Sequence, residues 1–201
     1  MSIVSLDFLL RDDVVQIAKD LLGCELIHTT ADGVKLSGII TETEAYRGPE
    51  DKASHAWNNK RTPRTEVMFG NAGTSYVYLC YGIHNLFNVV TNKVGIPHAV
   101  LIRGILPISG FDRQLKNRNK INFKSEDFIG PGKVSQALEI SNKLNEINVL
   151  DSNSSLQLHY KYNFPKTDIE FGKRIGIDYA QEWKDKPWRF WARKELLKLV
   201  K

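Results

Sequence analysis

Apolar residues between Asp12 and Leu22 recur with helical spacing: Val14, Ile17, Ala18 and Leu21 fall on one stripe, and Gly23 supplies a stop. After Gly23 the period changes to two. Cys24–Thr29 and the stretch from Val34 to Tyr46 are predicted strands, joined by a turn at Asp32–Gly33. A second pair covers Thr74–Tyr81 and Leu86–Thr91 and turns near Gly82, and Ala99–Leu106 is a further strand, apolar except for Arg103. Helical patterns return at Phe111–Arg118 and Val134–Ile140, with a polar, charged segment from Lys116 to Asp127 between them that is expected to be mobile. Short strands at Leu156–Tyr162 and Trp188–Ala192 and a closing helix fill the last third. Strands outnumber helices and do not alternate with them as βαβ units. The expectation is therefore one α+β domain over residues 1–201, built on a curved, mostly antiparallel sheet with surrounding helices.

Composition narrows this picture only in part. With 201 residues, 42% hydrophobic and 25% charged, the chain can bury a core and is not of disordered type. A net charge of +5 favours a polyanionic partner without identifying one, and a plain surplus of surface lysine accounts for it equally well. Cys24 and Cys80 each lie in an apolar stretch and are expected to be buried, reduced thiols. The five histidines, at 28, 55, 84, 98 and 159, lack metal-ligand spacing, so neither a metal nor a cofactor is expected. No apolar run reaches membrane-spanning length and the first residues, MSIVSLDFLLRDD, do not resemble a secretory signal, so the expectation is an intracellular protein without a membrane partner.

Four segments carry candidate chemistry. In LSGIITETEAY, parity puts Leu36, Gly38, Ile40, Glu42, Glu44 and Tyr46 on one face, which ends in two carboxylates and a phenol at the mouth of a long loop. That suits a pocket, and it also suits a solvated strand end with cross-strand ion pairs. The loop RGPEDKASHAWNNKRTPR mixes Arg47, Lys52, Lys60, Arg61 and Arg64 with His55 and Trp57, a combination that fits phosphates and base faces as well as an ordinary exposed loop. In GTSYVYLCYG, Tyr76 and Tyr78 share a face and Tyr81 stands at the turn, as half-buried sheet residues or as a base-stack wedge. Arg103 in AVLIRGILP needs a partner: Glu42, Glu44, a held water or a phosphate.

The order of the motifs resolves what each leaves open. ETEAYRGPEDKASH, TPRTEVMFG, GTSYVYLCYGIHNLFN, AVLIRG and GPGKVSQAL, in that order, closely resemble the alkyladenine (3-methyladenine) DNA glycosylase family, from about Leu9 to Ala192. The resemblance implies a monofunctional hydrolase that acts on double-stranded DNA with damaged purines. It implies Glu44, rather than Glu42, as the carboxylate that activates water, with Arg103 helping to hold that water. Tyr46, His55 and Tyr78 would enclose a flipped base, and Asn88 would line the pocket floor and disfavour the guanine amino group. Tyr81 would fill the vacated stack, and Lys133 and Arg64 would contact DNA. The fold would be similar to the C-terminal domain of formyltransferases, and a monomer is the simplest expectation. Two other classes remain: a damaged-DNA binder without chemistry, and a formyltransferase-like small-molecule enzyme, for which no folate- or formyl-binding residues stand out.

Overall fold

The computed structural model describes residues 2–197. Its centre is an antiparallel sheet of strands β1 (Glu25–Thr29), β2 (Lys35–Arg47), β3 (Ser75–Cys80), β4 (His84–Thr91), β5 (His98–Ser109), β6 (Leu156–His159), β7 (Ile169–Gly172) and β8 (Arg189–Ala192). The order is β3-β4-β5-β2-β1-β6, and β8 joins β2 to β7. Helices α1 (Leu6–Leu9), α2 (Val14–Asp20), α3 (Phe111–Asn117), α4 (Pro131–Ala137) and α5 (Lys194–Leu197) complete an α+β architecture. The basic tail beyond Leu197 lies outside the described residues.

Local chemistry sets the element boundaries. The Asp13 carboxylate caps α2 by accepting from the amides of Val15 and Gln16, so the helix starts at Val14, the first residue of the apolar stripe and two residues after Asp12. Gly23 ends it at φ +91, and a Cβ there would stand 2.5 Å from the carbonyl oxygen of Tyr162. Helix α4 begins at Pro131, three residues before the predicted start, because proline at the first position has φ preset and no amide to satisfy. Strand β5 runs past its predicted end through Pro107, which falls where the register shifts between Ser37 and Gly38, a site that tolerates a missing donor. The segment Lys116–Asp127 is tied back rather than free: Arg118 donates to the carbonyl of Asp127, Lys120 pairs with the Asp127 carboxylate, and the adjoining Phe128 is fully buried.

Strand β2 positions the site. It pairs with β5 along one edge and with β1 and then β8 along the other. Its register against β5 shifts between Ser37 and Gly38, between Ile40 and Glu42, and between Glu42 and Thr43. Such bulges bend a strand and re-aim its side chains. The unbroken face predicted from Leu36 to Tyr46 is therefore interrupted: Leu36, Ile39 and Ile40 enter the main core, whereas Glu42 and Glu44 converge on Arg103. Two smaller apolar clusters lie under the long loops. One gathers Val67, Met68 and Phe69 on Tyr76 and Ala99; the other gathers Ala53, Ile177 and Ala180 on Tyr46 and Trp183.

Candidate active site

Glu44 has no exposed surface. Its Oε1 accepts the backbone N–H of Ile175 at 2.9 Å and lies 3.4 Å from Arg103 Nε, and its Oε2 accepts the Tyr46 hydroxyl at 2.8 Å. Arg103 Nε also donates to Glu42 Oε1 at 3.2 Å, and that oxygen accepts from Arg189 Nη1 at 2.9 Å. Two carboxylates and two guanidiniums thus close a balanced buried network, the arrangement in which buried charge is tolerated. The solvated strand end is excluded for both glutamates, and the partner that Arg103 needs is both of them.

Burial pushes the Glu44 carboxyl above the usual carboxylate range, opposed by the Arg103 charge, the Ile175 amide and the Tyr46 hydroxyl and reinforced by Glu42. Burial, with Glu44 beside it, also raises the Tyr46 phenol well above its ordinary value, so it stays a proton donor.

A cleft of about 690 Å³ opens next to this network, with Tyr46, His55, Tyr78, Asn88, Arg103 and Ile175 among its lining. Glu44 lies directly behind a wall made of Tyr46, Arg103 and Ile175, the three residues that hold it. His55 Nδ1 is 2.7 Å from the Tyr76 hydroxyl, and its ring meets Tyr78 edge-on at 4.7 Å. Burial, with Arg64 nearby, pushes the His55 pKa down to about 4, so the imidazole is neutral near pH 7. The Arg64 guanidinium lies 5.5 Å from the centre of the Tyr78 ring. Asn88 is buried and commits its amide nitrogen to the carbonyls of Tyr76 and Leu86, at 3.1 and 3.4 Å.

At the rim, Tyr81 occupies the β3–β4 turn at φ +50 with 89% of its surface exposed, and Gly82 follows at φ +73. Leu79 and Ile83 are exposed beside it, so the tip is an apolar prow, the kind of surface that marks a binding face. Lys133 stands in the first turn of α4 on the cleft rim, where its ammonium donates to the carbonyl of Glu126 at 2.8 Å.

A profile of the methylpurine-DNA glycosylase (MPG) family matches residues 7–196. The chain belongs to this family. It is 50% identical over 188 residues to a Chlamydia abortus protein named "Putative 3-methyladenine DNA glycosylase", an alignment covering 91% of this chain and 94% of that one. Proteins of the same name from Natranaerobius thermophilus and Bacillus cereus are 47% and 43% identical, the alignments covering 90% and 89% of this chain and 91% and 90% of theirs.

For a methylpurine-DNA glycosylase family member, the geometry gathers the residues that the resemblance implies around one cleft, with Glu44 behind its wall and Tyr46, His55, Tyr78, Asn88, Arg103, Arg64, Tyr81 and Lys133 in its lining, whereas Arg47, Lys52, Trp57, Lys60 and Arg61 of the long loop do not line it. Cys24 is buried, and burial raises its thiol to about 12, but Cys80 departs from expectation. It is half-buried and lines the cleft, because the β3–β4 pair runs on to the exposed turn beyond the point where β5 covers it, β4 meeting β5 only from Asn88 to Thr91. Sequence reasoning missed Arg174, Ile175, Tyr179 and Arg189. All four come from the last third of the chain; the one available signal was Arg189, an arginine between Trp188 and Phe190 in the predicted strand Trp188–Ala192. Among the described residues, no cluster of three or more His, Cys, Asp or Glu side chains is arranged to hold a metal ion, and no helix is long and apolar enough to cross a membrane.

Proposed function

We propose that this chain acts as one domain in base-excision repair, turning an alkylated or deaminated purine of the 3-methyladenine class out of duplex DNA and hydrolysing its N-glycosidic bond. The observation that carries this reading is a buried carboxylate, Glu44, set with Arg103 behind the wall of an aromatic cleft. A carboxylate offers about four acceptor positions. Ile175, Arg103 and Tyr46 occupy three, which leaves one acceptor position for a water.

In the reaction, Glu44 takes a proton from that water while the oxygen bonds to the sugar C1′. The C1′–N bond breaks with its electron pair leaving on the base. Burial raises the Glu44 carboxyl above its ordinary value, which makes the carboxylate a stronger base, and its charge stabilises the developing sugar cation. Tyr46 and Tyr78 offer electron-rich faces to a base, an attraction of about 1–2 kcal/mol for a cationic alkylpurine when water is excluded. Neutral His55 adds no repulsion. Asn88, buried and with its nitrogen held by backbone carbonyls, fills the pocket floor where a guanine amino group would have to fit. Extruding a nucleotide costs roughly a few kcal/mol, which Tyr81 offsets by occupying the vacated stack. Arg64 and Lys133 face the phosphates, and the enzyme leaves an uncut abasic site.

The test uses duplexes that each carry one defined lesion: 3-methyladenine, 7-methylguanine, hypoxanthine or ethenoadenine. Release of free base with no strand cleavage until alkali is added supports the reading. Tight binding without release of any base assigns the chain to damage recognition instead, and a borohydride-trapped covalent adduct overturns the monofunctional mechanism.

A further inference from the structure

Behind the cleft, on the face of Tyr46 turned toward the core, lies a cation that the sequence does not announce. The Arg174 side chain is fully buried. Its guanidinium packs 4.8 Å from the centre of the Tyr46 ring and 5.2 Å from that of Trp188. It holds the Asp51 carboxylate with both terminal nitrogens, one of them at 2.9 Å, and donates to the carbonyls of Ala45 and Trp183 at 2.9 and 3.2 Å. Asp51 in turn accepts the amides of Ala53 at 2.9 Å and Arg47 at 3.3 Å. One guanidinium therefore ties together β2 at Ala45, the loop that leads to His55, and the 173–177 segment. The residue that follows it, Ile175, gives its N–H to Glu44.

We infer that Arg174, seated on Asp51, is a positioning residue that presents the Ile175 amide to Glu44 and fixes the platform of Tyr46 from behind. A bidentate planar fork stacked between two rings has one orientation, which an ammonium does not reproduce. Were the arginine only a core filler, its loss would lower stability and leave the protonation of Glu44 unchanged. As a positioning residue, it sets how well the Ile175 amide stabilises the Glu44 anion. The inference takes its functional meaning from the glycosylase reading, but its geometry is independent of turnover.

The groups that face Glu44 are Glu42 and Tyr46 on β2, Arg103 on β5 and the Ile175 amide, with Arg189 on β8 reaching it through Glu42 and Arg174 behind Tyr46. Three variants separate placement from charge. Arg174→Lys keeps the positive charge and loses the fork. Asp51→Asn loosens the seat of Arg174; removing its negative charge would by itself move Glu44 downward. Ile175→Pro deletes the amide and sets the full effect.

The measurement is the pH titration of the Glu44 carboxyl carbon by NMR in protein labelled with 13C-glutamate, assigned with Glu44→Gln, alongside thermal melting. The expected result is an upward move of the Glu44 midpoint by about one pH unit in Ile175→Pro, the effect of losing one hydrogen bond to a charged group. A move in the same direction is expected in Arg174→Lys and Asp51→Asn. Folded Arg174→Lys and Asp51→Asn proteins with an unmoved midpoint overturn the inference, as does an unmoved midpoint in Ile175→Pro. Should Arg174→Lys fail to melt cooperatively, Asp51→Asn decides. A wild-type protein that releases no base from any lesion refutes the glycosylase reading while these titrations still decide the role of Arg174.

Discussion

The hydroxyl of Tyr46 donates a 2.8 Å hydrogen bond to Oε2 of Glu44, two residues before it on the same strand. The ring that faces the cleft and the carboxylate behind it are thereby one mechanical unit. Tyr46→Phe retains the ring and deletes the bond. Single-turnover base release from a lesion-bearing duplex should fall about tenfold, the worth of one hydrogen bond to a charged group, while binding stays near wild type. Unchanged release would show that the hydroxyl does not orient Glu44.

Arg103 stands between two buried carboxylates, 3.2 Å from Glu42 and 3.4 Å from Glu44. Arg103→Met leaves Arg189 to balance both. Breaking a buried ion pair from one side typically costs about 3–5 kcal/mol, so urea unfolding at pH 7 should show a loss of that order. A loss well under 1 kcal/mol would mean that water already reaches the network.

His55 should make stability depend on pH. Its folded pKa is depressed to about 4, below the ordinary 6.5. Between those values the unfolded chain binds a proton that the folded chain does not, so stability is complete above pH 6.5 and is lost as pH falls toward 4. Going from pH 7 to pH 5 should cost wild type about 2 kcal/mol more than it costs His55→Gln, as read by urea titrations of both proteins. Equal losses would place the His55 ring in water.

Tyr81 is exposed and held at positive φ at the β3–β4 turn. Tyr81→Ser should slow excision from duplex DNA at least tenfold and affect a single-stranded substrate much less, because only the duplex presents a stack to be refilled. Equal effects on the two substrates would remove the wedge role.

Much of this was accessible from the pattern of residues alone. The β1–β2 hairpin, the β3–β4 pair and helix α2 follow from periodicity, with turns where glycines permit positive φ. What escaped was non-local. The bulges in β2 depend on β5 and are invisible along one strand, and they explain why counting by twos from Leu36 misassigns the face before Glu42. Nor does local pattern separate Glu42 from Glu44. Their settings in the fold differ: Glu42 meets Arg103 and Arg189 through a single oxygen, whereas Glu44 is held through both oxygens by three residues that line the cleft. Arg174 was unreadable because its partners, Asp51 and Tyr46, lie more than a hundred residues away.

Glu44 is proposed to drive hydrolytic release of a damaged purine. The most direct test is single-turnover release of 3-methyladenine from a methylated duplex by wild type and Glu44→Gln, with binding measured on an abasic-site analogue. The variant should bind the analogue as wild type does and release base at least about a hundredfold more slowly, the usual contribution of a positioned general base. Release at a near-wild-type rate by Glu44→Gln would remove Glu44 from the chemistry.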